Sequence, residues 1–206
     1  MSMITIDPVT LTDRENYKLL TGSIIPRPVA WVTTLSSTGV VNAAPFSYFS
    51  IVSSDPPLIS VSVQRVQGVS KDTARNAIER GEWVVHITDE DNVEAANRTA
   101  APLQPDESEV EAAGLETIPS SAIQVPGLKQ AKIRMECVLE QAIALGGTPE
   151  LPACDLLIGR VVQYHLSTDV YQNTYIQAKT LAPVSRLAGN AYAKLGETFS
   201  LDRPVK

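Results

Sequence analysis

The sequence predicts a mainly β fold, a β-barrel of antiparallel strands with a few helices. Two long segments, 131–145 and 155–166, alternate apolar and polar residues with a period of two, which is typical of half-buried strands. Shorter β-rich runs are separated by Ser, Gly and Pro turns, with few long helices between them. Long strands that lie close together in sequence favour an antiparallel barrel over a parallel doubly wound sheet.

The remaining elements follow from turn residues and from the period of the apolar positions. The turn sequence SSTG between the apolar runs 29–35 and 40–44 predicts a hairpin. Pro56 and Pro57 preclude a helix and set a turn. Ala74 and Ala77 share one helix face, and Gly81 ends that helix. The predicted elements are a mixed helix at 11–20, strands at 29–35, 40–44 and 58–63, a helix at 71–80, a strand at 83–87 and a helix at 92–98.

The stretch 102–126 holds four prolines and many acidic or small residues. We expect it to run over the surface without joining the core. The tail from Leu181 is expected to be irregular or to form a short helix. With 206 residues, of which 44% are hydrophobic, the chain is expected to form one domain over 1–206.

The charge and the cysteines exclude several classes of protein. A net charge of −6 with no basic run disfavours nucleic acid and anionic membrane surfaces as partners. The N-terminus lacks the design of a signal peptide and no apolar run approaches about 18 residues, so we expect no membrane span and a cytoplasmic location. Cys137 and Cys154 fit no CxxC pattern and are expected to be buried free thiols.

The common catalytic motifs are absent from the sequence. It contains no GxGxxG, GxxxxGK[ST], HExxH, GxSxG or SxxK pattern. His86 and His165 lie in separate predicted strands without a carboxylate pattern beside them, so no metal site is predicted. No nucleophile and base form an obvious pair, so no catalytic side chain is predicted. Any reaction is expected to depend on a bound cofactor.

The start of the helix at 71–80 is a candidate site for an anion. Its first turn carries Ser70, Lys71, Asp72 and Thr73. A helix N-terminus offers unpaired N–H groups and partial positive charge, so an anion is well placed beside a lysine and a hydroxyl. Upstream, the run 42–47 combines small residues, which allow close backbone approach, with amide and hydroxyl groups.

Six segments between about 17 and 192 carry the most specific pattern: PRPVAWVTT, NAAPFSYFSIVSSDPPL, KDTARNA, MECVLEQA, LIGRVVQYH and APVSRLAGNAY. In this order they resemble the flavin reductase-like family, FMN-binding split-barrel proteins that include flavoredoxin, ferric reductase and the reductase components of two-component monooxygenases. The resemblance implies a split antiparallel β-barrel with Greek-key topology. It also implies a homodimer with FMN, bound non-covalently, near the subunit interface.

The resemblance implies an FMN-binding oxidoreductase that uses NADH or NADPH to reduce flavin, or an acceptor such as a ferric chelate through bound FMN. A monooxygenase is among the partners it allows. An alternative is a flavoredoxin-like electron carrier without its own NAD(P)H reaction. A third alternative is an interaction module that kept the barrel and lost the cofactor. No dedicated nicotinamide motif is present, so the electron donor stays open.

The resemblance also implies which residues bind the cofactor. Lys71 and Thr73 would receive the phosphate, Thr33 and Thr34 would meet the ribityl chain or phosphate, and Arg186 would make a second phosphate or flavin contact. The predicted cofactor-binding residues are Arg27, Thr33, Thr34, Asn42, Ala43, Ala44, Pro45, Phe46, Ser47, Ser62, Lys71, Asp72, Thr73 and Arg186.

Simpler structural roles are open for several of these positions. Phe46, like Trp31, suits the core, Lys71 suits a solvated helix surface and Asp72 suits a helix cap. Thr33 and Thr34 satisfy β-propensity, and Arg27 between two prolines suits the surface.

His86 stands where relatives often have asparagine. If it faced the flavin or the subunit interface, its titration near a pKa of about 6.5 would make affinity or assembly pH-dependent.

Overall fold

The structure, a computed structural model, describes residues 1–104 and 106–204. Within them the helices are α1 Asp13–Ser23, α2 Asp72–Arg80, α3 Val93–Arg98, α4 Glu109–Ala112 and α5 Ala178–Leu181. The strands are β1 Arg27–Pro28, β2 Ala30–Leu35, β3 Val41–Phe46, β4 Phe49–Ser54, β5 Pro57–Gln64, β6 Glu82–Ile87, β7 Thr117–Ile118, β8 Gly127–Leu128, β9 Ile133–Leu145, β10 Cys154–Leu166, β11 Tyr171–Gln172, β12 Tyr175–Ile176, β13 Val184–Arg186 and β14 Tyr192–Lys194. None of the helices in this part of the chain has the length and apolarity needed to cross a membrane.

Seven strands form one antiparallel sheet in the order β3, β2, β6, β9, β10, β5, β4. Three hairpins supply half of the neighbouring pairs, and the β9–β10 hairpin lies between the consecutive strands β5 and β6. This order gives the Greek-key character. Among the described residues no pairing joins β3 to β4, so the sheet stays open. The predicted mainly β antiparallel fold is confirmed, with the barrel split at this edge.

The inner face of the sheet wraps around one core. Val32 from β2 and Val61 from β5 belong to the same buried cluster although their strands lie in opposite halves of the sheet. Ala74 and Ala77 of α2 pack against this cluster, as the predicted apolar helix face requires. Helix α2 ends at Gly81, whose φ of 76° is the left-handed conformation that glycine adopts at helix C-termini.

The outer face of β2, β3 and β6 carries a second core beneath the segment 93–131. Val110 and Leu128 pack there against Trp31 and Ala43, and all four are at most 3% exposed. The Trp31 indole Nε1 donates to Thr99 Oγ1 over 2.9 Å, which fixes the end of α3 to the sheet. The expectation that 102–126 runs over the surface without joining the core is therefore wrong. Residue 105 lies outside the described residues.

Two further boundaries differ from the sequence expectation. Helix α1 begins with a capping box formed by Thr12 and Glu15, and it ends at Ser23, beyond the predicted end at residue 20. The tail is more ordered than expected, because β13 pairs with both β1 and β14 and brings Arg186 opposite Arg27.

Candidate functional site

Helix α2 begins without a side-chain cap. Lys71 occupies the N-cap position and is exposed, and among the described residues no side chain accepts a hydrogen bond from the first turn. Asp72 pairs with Arg75 one turn later, so its carboxylate does not cap the helix. Because the first N–H groups of a helix have no intrahelical acceptor, this end presents unpaired donors beside an ammonium group.

A buried polar network lies directly beneath this helix start. Thr73 Oγ1 donates to Asn42 Oδ1 over 2.9 Å, and Thr34 Oγ1 donates to the same oxygen over 3.3 Å. Asn76 Nδ2 in turn donates to Thr34 Oγ1 over 3.2 Å. These side chains are buried and have partners, and such networks hold their elements in one arrangement. Helix α2 is thereby fixed to strands β2 and β3.

Glu109 of α4 closes the network from the opposite side. Its Oε2 accepts hydrogen bonds from Asn42 Nδ2 over 2.9 Å and from the Ala43 amide over 3.2 Å. Strand β3 is an edge strand, so the Ala43 amide points away from the sheet and needs this partner. Burial raises the pKa of Glu109, and the hydrogen bonds from Ala43 and Asn42 only partly oppose that rise.

These elements border a cleft of about 360 Å³, which lies within the size range of small-molecule sites. Strand β3, the start of α2 and the loop 99–103 form its walls. The lining residues are Asn42, Ala44, Pro45, Phe46, Val66, Lys71, Asp72, Thr73, Thr99, Ala100, Ala101, Pro102, Leu103 and Glu109.

Half of the predicted cofactor-binding residues line this cleft: Asn42, Ala44, Pro45, Phe46, Lys71, Asp72 and Thr73. Ala43 and Thr34 support it from behind through the hydrogen bonds to Glu109 and Asn42. Thr33 faces the second core, on the outer face of the sheet, where its hydroxyl donates a hydrogen bond to the Pro126 carbonyl over 2.7 Å. Ser47 and Ser62 are half-buried and do not line the cleft.

The two predicted arginines lie elsewhere. Arg27 is 7% exposed, and its guanidinium donates to the carbonyls of Thr21, Ile24 and Leu187. The alternative reading of Arg27 as a surface residue is therefore wrong. Arg186 lies 4.6 Å from the centre of the Tyr192 ring and borders a separate hollow of about 760 Å³ between α3 and the β13–β14 hairpin.

His86 is not positioned to sense pH at the cleft or at a surface. Its Nδ1 lies 2.7 Å from the Trp31 carbonyl, and its Nε2 lies 2.9 Å from the Leu128 amide, which donates to it. This pattern fixes a neutral ring with the proton on Nδ1. Burial lowers the pKa of His86 to about 3, so the pH-dependent binding or assembly considered from the sequence is not expected.

The cysteines match the sequence expectation only in part. Cys137 is buried, and burial raises the pKa of its thiol, whereas Cys154 is partly exposed. Both are free thiols.

The sequence analysis did not predict one wall of the cleft, the loop 99–103. The run Ala100-Ala101-Pro102 repeats the small-residue and proline character of 43–45, and this was a readable signal. Glu109 carried no such signal. Its partners, Asn42 and Ala43, lie more than sixty residues away in the chain, so no local pattern connects them.

Comparison with known proteins gives a consistent picture. Residues 21–182 match the sequence model of the flavin reductase like domain. The solved structure of nitrilotriacetate monooxygenase component B from Bacillus cereus is 62% identical, with a TM-score of 0.97 over 98% of this chain and 100% of that chain. The 2-nitrobenzoate 2-nitroreductase of Pseudomonas fluorescens is 32% identical, with a TM-score of 0.87 over 98% and 96%. An uncharacterised Bacillus subtilis protein is 56% identical over 94% of this chain and 96% of its own length.

Proposed function

Since the chain belongs to the flavin reductase-like family, we propose that it is an oxidoreductase that binds FMN non-covalently between β3 and the start of α2. The main supporting observation is that one cleft pairs an uncapped helix start bearing Lys71 with an edge strand of small residues. The helix start suits a phosphate, and the strand suits a flat ring that needs close backbone approach.

The phosphate end of the cleft fits FMN through main-chain groups and one ammonium. The N-cap of α2 makes no side-chain hydrogen bond to the first turn, and the exposed Lys71 lies beside those amides. The Thr73 hydroxyl already donates to Asn42, so we expect the Thr73 amide to contribute more than its side chain. Arg27 and Arg186 are not assigned to this phosphate because neither lines the cleft.

The ring end fits FMN through close contact and backbone polar groups. Ala44 and Pro45 of β3 line the cleft together with Ala100 and Pro102 of the loop 99–103, and small side chains of this kind admit a flat ring. Asn42 is held by hydrogen bonds on both its oxygen and its nitrogen, so its position is fixed. Placed groups of this kind orient a cofactor and tune its electronics.

Strand β3 and the first turn of α2 would hold FMN, whose chemistry would be hydride acceptance from NADH or NADPH and electron transfer to a second flavin, a ferric chelate, a protein or oxygen. The proposed role of the side chains of the cleft is to bind and orient FMN and to exclude water from it. None of them is proposed to act as an acid or a base. A cytoplasmic location belongs to this proposal because both coenzymes are available there.

A monooxygenase component is the partner that we propose. The Bacillus cereus protein at 62% identity is itself a component of nitrilotriacetate monooxygenase, and the likeness extends over nearly the entire length of both chains. The second relative, which reduces 2-nitrobenzoate, adds nitroaromatic compounds to the acceptors that should be tested.

We also propose that two copies of the chain pair through an apolar hollow of about 850 Å³ on the sheet. Phe49, Ile51 and Ile59 line it together with Met135 and Leu166. Ile51 is 79% exposed in a single chain, and exposed apolar surface of this kind is typical of an interface.

The first test is the absorption spectrum of the purified protein and a titration with FMN. We expect flavin bands or tight FMN binding, followed by oxidation of NADH or NADPH with FMN, FAD, ferric chelate or a nitroaromatic acceptor. FMN binding without coenzyme oxidation would instead support the alternative, an electron carrier. A colourless protein that binds no FMN would contradict both, and it would leave the third alternative, a barrel without cofactor.

A further inference from the structure

Asp155 is a buried carboxylate that holds the loop in front of α2. It lies on β10 and is 2% exposed. Its oxygens accept hydrogen bonds from Arg65 Nε over 3.0 Å, from Arg65 Nη2 over 2.6 Å and from Ser70 Oγ over 2.8 Å. Two-point pairing of a guanidinium with a carboxylate fixes direction as well as distance. Asp155 therefore ties together the first and last residues of the loop 65–70.

The loop 65–70 is itself tightly folded. Val66 and Val69 exchange two backbone hydrogen bonds of 3.1 and 2.9 Å across a turn at Gln67 and Gly68, both in the left-handed region. Arg65 Nη1 also donates to the Gly68 carbonyl over 3.0 Å. With its ends and its tip both held, the loop has one well-defined position.

This position matters because the loop runs directly into the cleft. Val66 lines the cleft, and Ser70 immediately precedes Lys71, which starts α2 without a side-chain cap. We infer that Asp155, acting through Arg65 and Ser70, is a positioning residue that sets the phosphate-binding end of the cleft. The inference rests on the proposed function, and it adds residues that lie behind the cleft and do not touch the cofactor.

A purely structural role for Asp155 makes a different prediction. Asp155 sits in the β5–β10 ladder opposite Val63, so its loss could loosen the sheet as a unit. That would weaken binding of FMN and riboflavin alike. Riboflavin lacks only the phosphate, so the ratio of the two affinities reports on the phosphate end alone.

The experiment is to titrate the full chain and its variants with FMN and with riboflavin, following flavin fluorescence. The variants are Ser70→Ala, which removes one hydrogen bond, and Asp155→Asn, which disrupts the charged pair. The matched control is Arg160→Gln, on the same strand as Asp155, which breaks an exposed pair with Glu140 of β9. We expect FMN affinity to fall about threefold in Ser70→Ala and about tenfold or more in Asp155→Asn. Riboflavin affinity should stay within about twofold, and the control should change neither affinity.

Equal losses for both flavins, or unchanged FMN affinity in the variants, would overturn the inference while leaving FMN binding by the wild type intact. If Asp155→Asn does not fold, the Ser70→Ala comparison decides alone. A wild-type chain that binds neither flavin contradicts the proposed function, and the inference then falls with it.

Discussion

Glu109 joins the outer layer, the segment 93–131 that covers β2, β3 and β6, to the edge of the cleft. It reaches from α4 to Asn42 and to the Ala43 amide, and it is 7% exposed. Burial raises its pKa, since removing a carboxylate from water disfavours the charged form. Nearby Asp72 acts in the same direction. The folded protein therefore binds a proton at Glu109 more readily than the unfolded chain does.

The replacement Glu109→Gln should change how stability depends on pH. A raised folded-state pKa gives stability that is complete below the unfolded value of about 4.3 and is lost as pH rises through the folded value. The wild-type free energy of unfolding should therefore fall between acidic and neutral pH by an amount that Glu109→Gln removes. Urea denaturation at several pH values measures this difference.

The exposed Glu111→Gln in the same helix is the control and should leave the pH profile unchanged. Identical profiles for the wild type and Glu109→Gln would show that the Glu109 carboxylate is not destabilised by burial.

For strand β9, the sequence predicts the direction of each side chain correctly but does not predict how deeply the outward-facing ones are buried. The alternation of β9 predicts that Glu136 points away from the inner core, and it does. Glu136 is nevertheless only 1% exposed, because the segment 119–126 covers it. Its oxygens accept the Ser121 and Ala122 amides, each over 2.7 Å, and Oε1 lies 2.5 Å from His165 Nε2. Glu136 thus anchors residues 121 and 122 of the outer layer to strand β9.

Removing that charge with Glu136→Gln should destabilise the fold at neutral pH by about 2 kcal/mol, the size of charge-assisted hydrogen bonds. Burial acts to raise the pKa of Glu136, but the Ser121 and Ala122 amides and His165 together hold it below its ordinary value. A lowered folded-state pKa gives stability that is lost as pH falls through it, so the deficit should narrow in acid. Thermal unfolding between pH 3 and 7 tests this.

The control for this variant is Glu140→Gln, at an exposed position of the same strand, which should be close to neutral. A deficit that stays constant with pH would contradict the assignment of the effect to ionised Glu136.

The packing of Trp83 of β6 against β10 depends on the absence of a side chain at Gly159. A Cβ added at Gly159 would lie 2.2 Å from Trp83 Cζ2, and Trp83 is 1% exposed. Gly159→Ala should therefore cost about 1–3 kcal/mol through overpacking, measured by chemical denaturation. Gly22→Ala in α1, where nothing lies within 4 Å, should instead stabilise by about 0.5–1 kcal/mol. Equal effects of the two replacements would contradict the packing described for Trp83.

Across the chain, the sequence predicts those features that depend on residues close together in the chain. The long strands β9 and β10, the β2–β3 hairpin and α2 follow from periods and turn residues that lie inside each element. The place of Lys71 and Thr73 beside the cleft followed as well, because both residues lie at a helix start. That a phosphate binds there stays a prediction. The packing of the outer layer on the sheet and the contacts of Glu109 could not be predicted, since their partners are distant in sequence. Arg27 shows the same limit, because three carbonyls from two other segments bury it.

Pairing of two copies should depend on the apolar hollow of the sheet. Ile51→Lys places a charge in that hollow, so we expect it to shift the protein from dimer to monomer in light scattering after size-exclusion chromatography. Leu151→Lys, at a 62% exposed position in the loop between β9 and β10, is the control and should leave the mass unchanged. A wild-type mass of one chain at micromolar concentration would refute pairing through this surface.

A crystal structure of the protein grown with saturating FMN tests the binding site most directly. We expect the phosphate at the first turn of α2 beside Lys71, and the ring against Ala44 and Pro45 on one side and the loop 99–103 on the other. Density for FMN at another surface, or a cleft that holds no FMN because side chains of the protein occupy it, would contradict FMN binding between β3 and α2.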